Sequence, residues 1–338
     1  MPDSQPSRRE FIRIGAAAVG ALAIGSAVAE DAATQPALSS APAATLAPGV
    51  IPWWIERYPE RSRVVDTYSP RLLRGTTVDP FFLQQTVNSA VMTLTGAADP
   101  DAAWRRILGD AERIVLKFNS VGAEALRIND PLAVAIVREL REAGYDPGKI
   151  ALVEASPHLR TELETAEVPQ GWSGRIRFGE HEEELAAYVT WADAIIDVPL
   201  LKTHQIAGMS CCLKNLSHAV IRRPALYHAD SCSPFVAQIV SQEELRDRLK
   251  LCLVNAMRMV IDRGPDARPE DIVLSSRLLA GFDPVAVDSV GLSLLSSERR
   301  ARGLASEIPV PYLVAADQLG LGRAASAQIE RLSQVLNS

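Results

Sequence analysis

Ala194-Ile195-Ile196-Asp197-Val198-Pro199-Leu200-Leu201-Lys202-Thr203-His204 decides the fold. The run is apolar on successive residues rather than alternate ones, so it reads as a strand covered on both faces. Strands of that kind belong to parallel sheets wrapped by helices. Upstream, Arg113–Phe118 and Lys149–Val153 repeat the pattern. Between them Asp130-Pro131 caps a helix that carries Val134, Val137 and Leu140 at helical spacing and stops at Gly144. Val64-Val65 opens a first strand, Pro80–Leu94 has the period of an amphipathic helix, and a helix around Glu182–Trp191 leads into the deciding run. Downstream come strands at Leu251–Val254 and Ile272–Leu274 and a helix over Pro284–Leu295. The expectation is an α/β fold, a mostly parallel sheet with helices on both faces, forming a single large domain over 53–338.

In open parallel sheets ligands bind outside the carboxyl ends of the strands. Several apolar runs end in polar residues: Lys117 and Asn119, Glu154, Lys202 and His204, Asn255, and, after Leu278–Gly281, Asp283 and Asp288. The chain has five lysines against thirty arginines, so lysines at strand ends stand out from the prevailing choice of cation. A lysine supplies a compact ammonium whose pKa the site can tune. The net charge of −6 argues against a nucleic-acid partner, and four cysteines in 338 residues are too few for a disulfide scaffold.

Between Leu201 and Cys232 stand two of the five lysines, three of the five histidines and three of the four cysteines. Gly208 precedes a helical-looking run, which predicts a helix N-terminus facing the site. Together with Lys202 and Lys214 it would attract a carboxylate or phosphate, with His204 as the proton-transfer group. A metal held by His204, His218, His228 and the cysteines is the competing reading. Against it, no C-x-x-C or H-x-x-x-H occurs in this stretch, adjacent Cys211 and Cys212 would diverge on a helix, and two ammonium groups oppose a cation. The cysteines also fit as small buried hydrophobes.

At the N-terminus, Ser7-Arg8-Arg9-Glu10-Phe11-Ile12-Arg13 precedes a Gly-studded apolar run and Ala27-Val28-Ala29. Residues 1–29 read as a twin-arginine signal peptide, and 30–52 as an Ala/Pro-rich tether. The run is too short and too rich in glycine for a lasting membrane span. The expected location is the periplasm or cell envelope.

Val115-Leu116-Lys117-Phe118-Asn119, Pro199-Leu200-Leu201-Lys202-Thr203-His204, Leu213-Lys214-Asn215-Leu216, Tyr227-His228, Gly264-Pro265-Asp266 and Asp283-Pro284-Val285-Ala286-Val287-Asp288 together resemble the domain-of-unknown-function 362 family, in its twin-arginine-exported form. Some relatives carry a ferredoxin-like domain, which implies redox work. This chain lacks the cysteine run for such a cluster, and it has no Rossmann or P-loop fingerprint. Asn255 stands where relatives often have Asp, and Arg263 precedes Gly264 where a second glycine is common.

The function expected is an enzyme, with redox or cofactor-dependent chemistry as one form of it, acting on an anionic small molecule. Lys202, His204 and Asp288 are its catalytic candidates. Lys117, Asn119, Lys214, Asn215, His228 and Asp283 are its ligand-binding candidates. A non-catalytic anion- or cofactor-binding carrier is the alternative, and Asp288 and Asn215 also suit structural roles.

Overall fold

Residues with strand propensity and residues with helical period alternate along the chain, and the computed structural model follows that alternation over Leu46 and residues 50–337. The expected leader at 1–29 and most of the expected tether at 30–52 lie outside the described residues. Helix α1 (Trp53–Arg57) and strand β1 (Ser62–Tyr68) come first, then the small hairpin β2 (Leu73–Arg74) and β3 (Thr77–Val78). Asp79 accepts the Phe81 and Phe82 amides and starts α2 (Pro80–Thr95). Asp99 caps α3 (Pro100–Leu108) in the same way. Strand β4 (Ile114–Lys117), helices α4 (Ala123–Leu126) and α5 (Asn129–Glu142), strand β5 (Ile150–Val153) and helix α6 (His158–Glu162) follow. Next are β6 (Trp172–Phe178), β7 (His181–Ala186), α7 (Ala187–Trp191), β8 (Ala194–Asp197), β9 (Leu200–His204), β10 (Gly208–Ser210) and α8 (Cys212–Asn215). The last part holds α9 (Phe235–Val240), α10 (Glu243–Arg246), β11 (Leu249–Val260), β12 (Ile272–Gly281), α11 (Pro284–Ala301), α12 (Pro311–Gln318) and β13 (Ile329–Val335).

The central sheet runs β13-β1-β12-β11-β8-β4-β5, with β9 also pairing β11 and β10 pairing β9. Most pairs are parallel, but β12 is antiparallel to both β1 and β11, and β10 to β9. Helices α2, α3 and α5 form one packed group against the sheet and α8, α9, α11 and α12 another, so helices cover both faces, as in other α/β proteins. Strands β4, β5 and β8 are buried along their whole length, as their continuous apolar runs require. No helix among the described residues is long and apolar enough to cross a membrane.

Local readings change at five places. Glu182–Trp191 is not one helix: His181–Ala186 is a strand paired with Trp172–Phe178, and only Ala187–Trp191 is helical. Asn129 rather than Asp130 begins α5, whose N-cap residue Ile128 makes no side-chain cap. Pro199, which has no N–H to give a ladder, splits the deciding run into β8 and β9. Ile272–Leu274 and Leu278–Gly281 are one strand, β12. Gly208 opens strand β10 rather than a helix; at φ 78° it lies so close to the Pro309 carbonyl that a side chain would collide with it.

The reversal of β12 moves Asp283. Gly281 lies level with Cys252, and β12 enters that level from the Val260 end. Asp283 therefore emerges away from Lys202, which is level with Val260. Its carboxylate caps α11 through the Val285 and Ala286 amides (2.9 and 3.1 Å) and also accepts from Ser62 Oγ (2.6 Å) and the Arg323 amide (2.9 Å). Gly322 leaves the space for that carboxylate. Asp283 is thus a structural cap and not a ligand-binding residue, and Asp283→Ala should cost about 2–4 kcal/mol in a denaturant titration by orphaning several buried donors.

Candidate functional site

Parallel pairing sets Lys117 opposite both Val153 and Asp197, so the ends of β4, β5 and β8 meet. Lys117 is fully buried, and its three N–H groups go to Phe118 O (2.6 Å), Glu154 Oε1 (2.9 Å) and Asn215 Oδ1 (3.2 Å). Burial works against the Glu154 carboxylate, but Lys117 and the Ser120 amide outweigh it and hold its pKa below the usual value. Every donor on Lys117 is committed, so it cannot also fix a ligand. This corrects the expectation that Lys117 is a ligand-binding residue.

Asn215 is committed in the same way. Its Oδ1 accepts from Lys117 and from Asn119 Nδ2 (3.3 Å), and its Nδ2 donates to Asp197 Oδ1 (2.6 Å) and Lys117 O (3.2 Å). It ties α8 to the ends of β4 and β8 and is not free for a ligand. Asn119 acts one step further out, accepting from Lys202 Nζ at 3.1 Å and so orienting that ammonium. Its carbonyl accepts from Asn129, whose Oδ1 in turn accepts from Asn255.

Asp288 sits below this layer. Fully buried, it accepts from the Cys212 and Leu213 amides (2.7 and 3.2 Å) and so fills the N-terminus of α8, the end that would otherwise draw an anion. Burial pushes its pKa up to about 7 against those bonds. It holds α8 in place, which corrects the catalytic role expected of it from sequence.

The residues left with spare hydrogen-bonding capacity are Lys202, Lys214 and His204, with His228 as the partner of Lys214. Lys202 gives two N–H groups to Asn119 and to the Val121 carbonyl, leaving one. Lys214, 7 % exposed, has only His228 Nε2 at 3.4 Å, leaving two. No carboxylate lies within ion-pairing distance of either ammonium among the described residues. Burial is the main cause that brings both pKa values down to about 8; for Lys202 the charges of Lys214 and Lys117 add to it.

The hydrogen-bond network assigns the imidazole tautomers. His204 Nδ1 accepts the Ile206 and Ala207 amides (both 3.2 Å), which leaves the proton on Nε2. Burial, then Lys214, lowers its pKa to about 4, so it is neutral at pH 7 and offers an N–H. His228 donates Nδ1–H to Pro224 O (3.1 Å), which leaves Nε2 to accept from Lys214. The two rings lie near-parallel at 6.2 Å. His218 packs on His228 at 4.5 Å, but both of its nitrogens are engaged, by Ser217 Oγ and Tyr227 O at 3.0 Å each. His204 is therefore set up as a hydrogen-bond donor rather than as the proton-transfer group expected from sequence.

Among the described residues, three trios have metal-ligand atoms within 4.8 Å of one another: His218, His228 and Cys232; Asp197, Cys212 and Cys252; Cys211, Cys212 and Asp288. In the first, Lys214 already occupies the lone pair of His228, and His218 has none to spare. In the others every residue is buried, and burial raises the thiol and carboxyl pKa values, which favours the protonated forms. Cys211 and Cys212 do not diverge: Cys211 is extended (φ −150°) and precedes the helix, so their sulfurs lie 3.9 Å apart.

Glu154, the counter-charge of Lys117, has no site role in the sequence reading. Its one sequence signal is its place directly after β5; the left-handed backbone (φ 60°), unusual for glutamate, is visible only in the structure. His218 enters the sequence reading only as a candidate metal ligand, and nothing in the sequence sets Arg127 and Arg258 apart from the other arginines.

A family model described as domain of unknown function (DUF362) matches residues 160–293, the span that holds Lys202, His204, Lys214 and His228. The match supports the family that the motifs resemble. No curated protein matches the chain. Solved structures similar to it include a protein from Thermotoga maritima (11 % identity, TM-score 0.36, 73 % of this chain and 61 % of that one). Another is the lactate racemase apoprotein from Thermoanaerobacterium thermosaccharolyticum (11 % identity, TM-score 0.37, 70 % and 57 %). The chain thus spans about three fifths of the length of each.

The pKa of Lys214 makes a signed prediction. Its folded value of about 8 lies below the ordinary 10.5, so its positive charge weakens the fold fully below pH 8 and not at all above pH 10.5. Lys214→Met should therefore raise stability by about 1–2 kcal/mol at pH 7, with the gain disappearing between pH 8 and 10.5 in denaturant titrations.

Proposed function

We propose that this protein is a proton-transfer enzyme acting on an anionic small molecule whose reacting carbon adjoins a carbonyl or carboxylate. The observation that carries this reading is the Lys214 ammonium: nine-tenths buried, without an acidic partner, and with a single weak hydrogen bond to an imidazole. A buried charge of that kind costs stability, and a bound anion supplies what it lacks.

The division of labour follows from the protonation states. Near pH 8 a substantial fraction of Lys214 is the free amine, which accepts the proton as the C–H bond breaks. The electron pair moves onto the adjoining oxygen. His204 Nε2–H and the spare N–H of Lys202 are the donors for that oxygen, and His204 stays neutral because its pKa is about 4. Return of the proton from Lys214 completes the transfer, with His228 Nε2 orienting the amine. In this reading the leader at 1–29 delivers the enzyme to the periplasm or cell envelope.

The test is loss of C–H signals in deuterated water, followed by proton NMR, with a panel of 2-oxo acids and phosphorylated ketones. Exchange should be catalysed with at least one member, rise with pH as Lys214 deprotonates near 8, and fall at least 100-fold in Lys214→Met. His204→Gln should lower the rate by about 10- to 100-fold without moving that pH midpoint. Absence of Lys214-dependent exchange with every member between about pH 6.5 and 9.5 overturns the proposal and leaves a binding protein.

A further inference from the structure

Next to the lysine site lies a cavity of about 680 Å³, bounded by Thr76, Ser120, Gly122, Glu124, Arg127 and Arg258. Its volume is in the range that takes small-molecule ligands. Arg258, on β11, is only 6 % exposed, yet a single N–H of its guanidinium is engaged, by the Leu126 carbonyl, and its buried Nε–H has no partner. Arg127 stands beside it with a left-handed backbone (φ 51°). Among the described residues neither arginine has a carboxylate within ion-pairing distance, although most other arginines here do. Glu124 is the one acid in the wall, so the lining carries a net charge of +1.

We infer that this cavity binds an anionic group, a carboxylate or a phosphate, through Arg127 and Arg258, and that this group is the handle of the ligand whose reacting end meets Lys202. A guanidinium presents a planar fork of donors that matches two oxygens of such a group, and a buried one without a counter-charge gains most from the match. The connection to Lys202 is short. A side chain at Gly122, in the cavity wall, would lie 3.6 Å from Lys202 Nζ. Ser120, also in the wall, donates its hydroxyl to Glu154 at 2.9 Å, the residue that neutralises Lys117. The second half of the inference rests on the proton-transfer reading; the binding of an anion by the two arginines does not.

Calorimetry with inorganic phosphate and, separately, with malonate tests it, and the two probes tell which oxyanion the cavity prefers. The wild-type protein should bind at least one of them, and Arg127→Gln, at an exposed residue, should weaken that binding at least tenfold. Arg258→Lys, which keeps the charge but loses the fork, should weaken it similarly. Glu124→Gln, which removes the one acid of the wall, should tighten it several-fold. Binding unchanged in both arginine variants, or absent in the wild type at millimolar probe, overturns the inference. Binding that depends on Arg127, in a protein without Lys214-dependent exchange, supports the cavity and removes the proton-transfer reading. The opposite pattern removes the cavity and keeps that reading.

Discussion

The buried ammonium of Lys117 organises this molecule. A charge withdrawn wholly from water must be met on every donor, or the fold loses several kcal/mol. Here it is met by Glu154 from the end of β5, by Asn215 from α8 and by the carbonyl of Phe118. Those bonds hold three segments together at the carboxyl ends of the parallel strands. Asn215, fixed by Lys117, also binds Asp197, and Asn119 then orients Lys202. The site is built outward from a charge that takes no part in it.

Hydrogen-bond saturation falls along that outward path. Lys117 has all three donors satisfied, Lys202 two, and Lys214 one. Scarce lysines at strand ends look equivalent in sequence, yet burial and partners give them different work. The saturated one fixes geometry, and the unsaturated ones keep a lowered pKa and spare N–H groups. Stability and reactivity are therefore divided between neighbouring copies of the same side chain.

Much of this was legible in the sequence. Continuous apolar runs such as Ile114–Leu116 and Ala194–Ile196 specify buried parallel strands, and the polar residues just beyond them fall where such sheets collect ligands. Strand direction was not legible. Ile272–Gly281 carries no local mark of running antiparallel, and that reversal takes Asp283 away from Lys202. Nor was the helical reading of Glu182–Trp191 correct, since the segment finds its partner in Trp172–Phe178 and tertiary pairing overrides local period. Tautomers were beyond reach as well: the role of His204 turns on two backbone amides from the tight turn after it.

The cysteines follow from the same accounting of buried groups. Cys211, Cys212 and Cys252 lie with Asp197 and Asp288 in a pocket of the core that water does not reach. Burial pushes Cys211 up to about 12 and Cys252 to about 11, so the thiolate, the form that reacts, is scarce. Asp288 cannot be exchanged for an apolar residue, because the α8 amides would then lose their acceptors. The small, weakly polar thiols fill the space around it with little competition for its oxygens. Their presence needs neither a disulfide nor a metal: a buried carboxylate holds α8, α8 presents Lys214 and Asn215, and cysteine is the side chain that packs against that carboxylate at least cost.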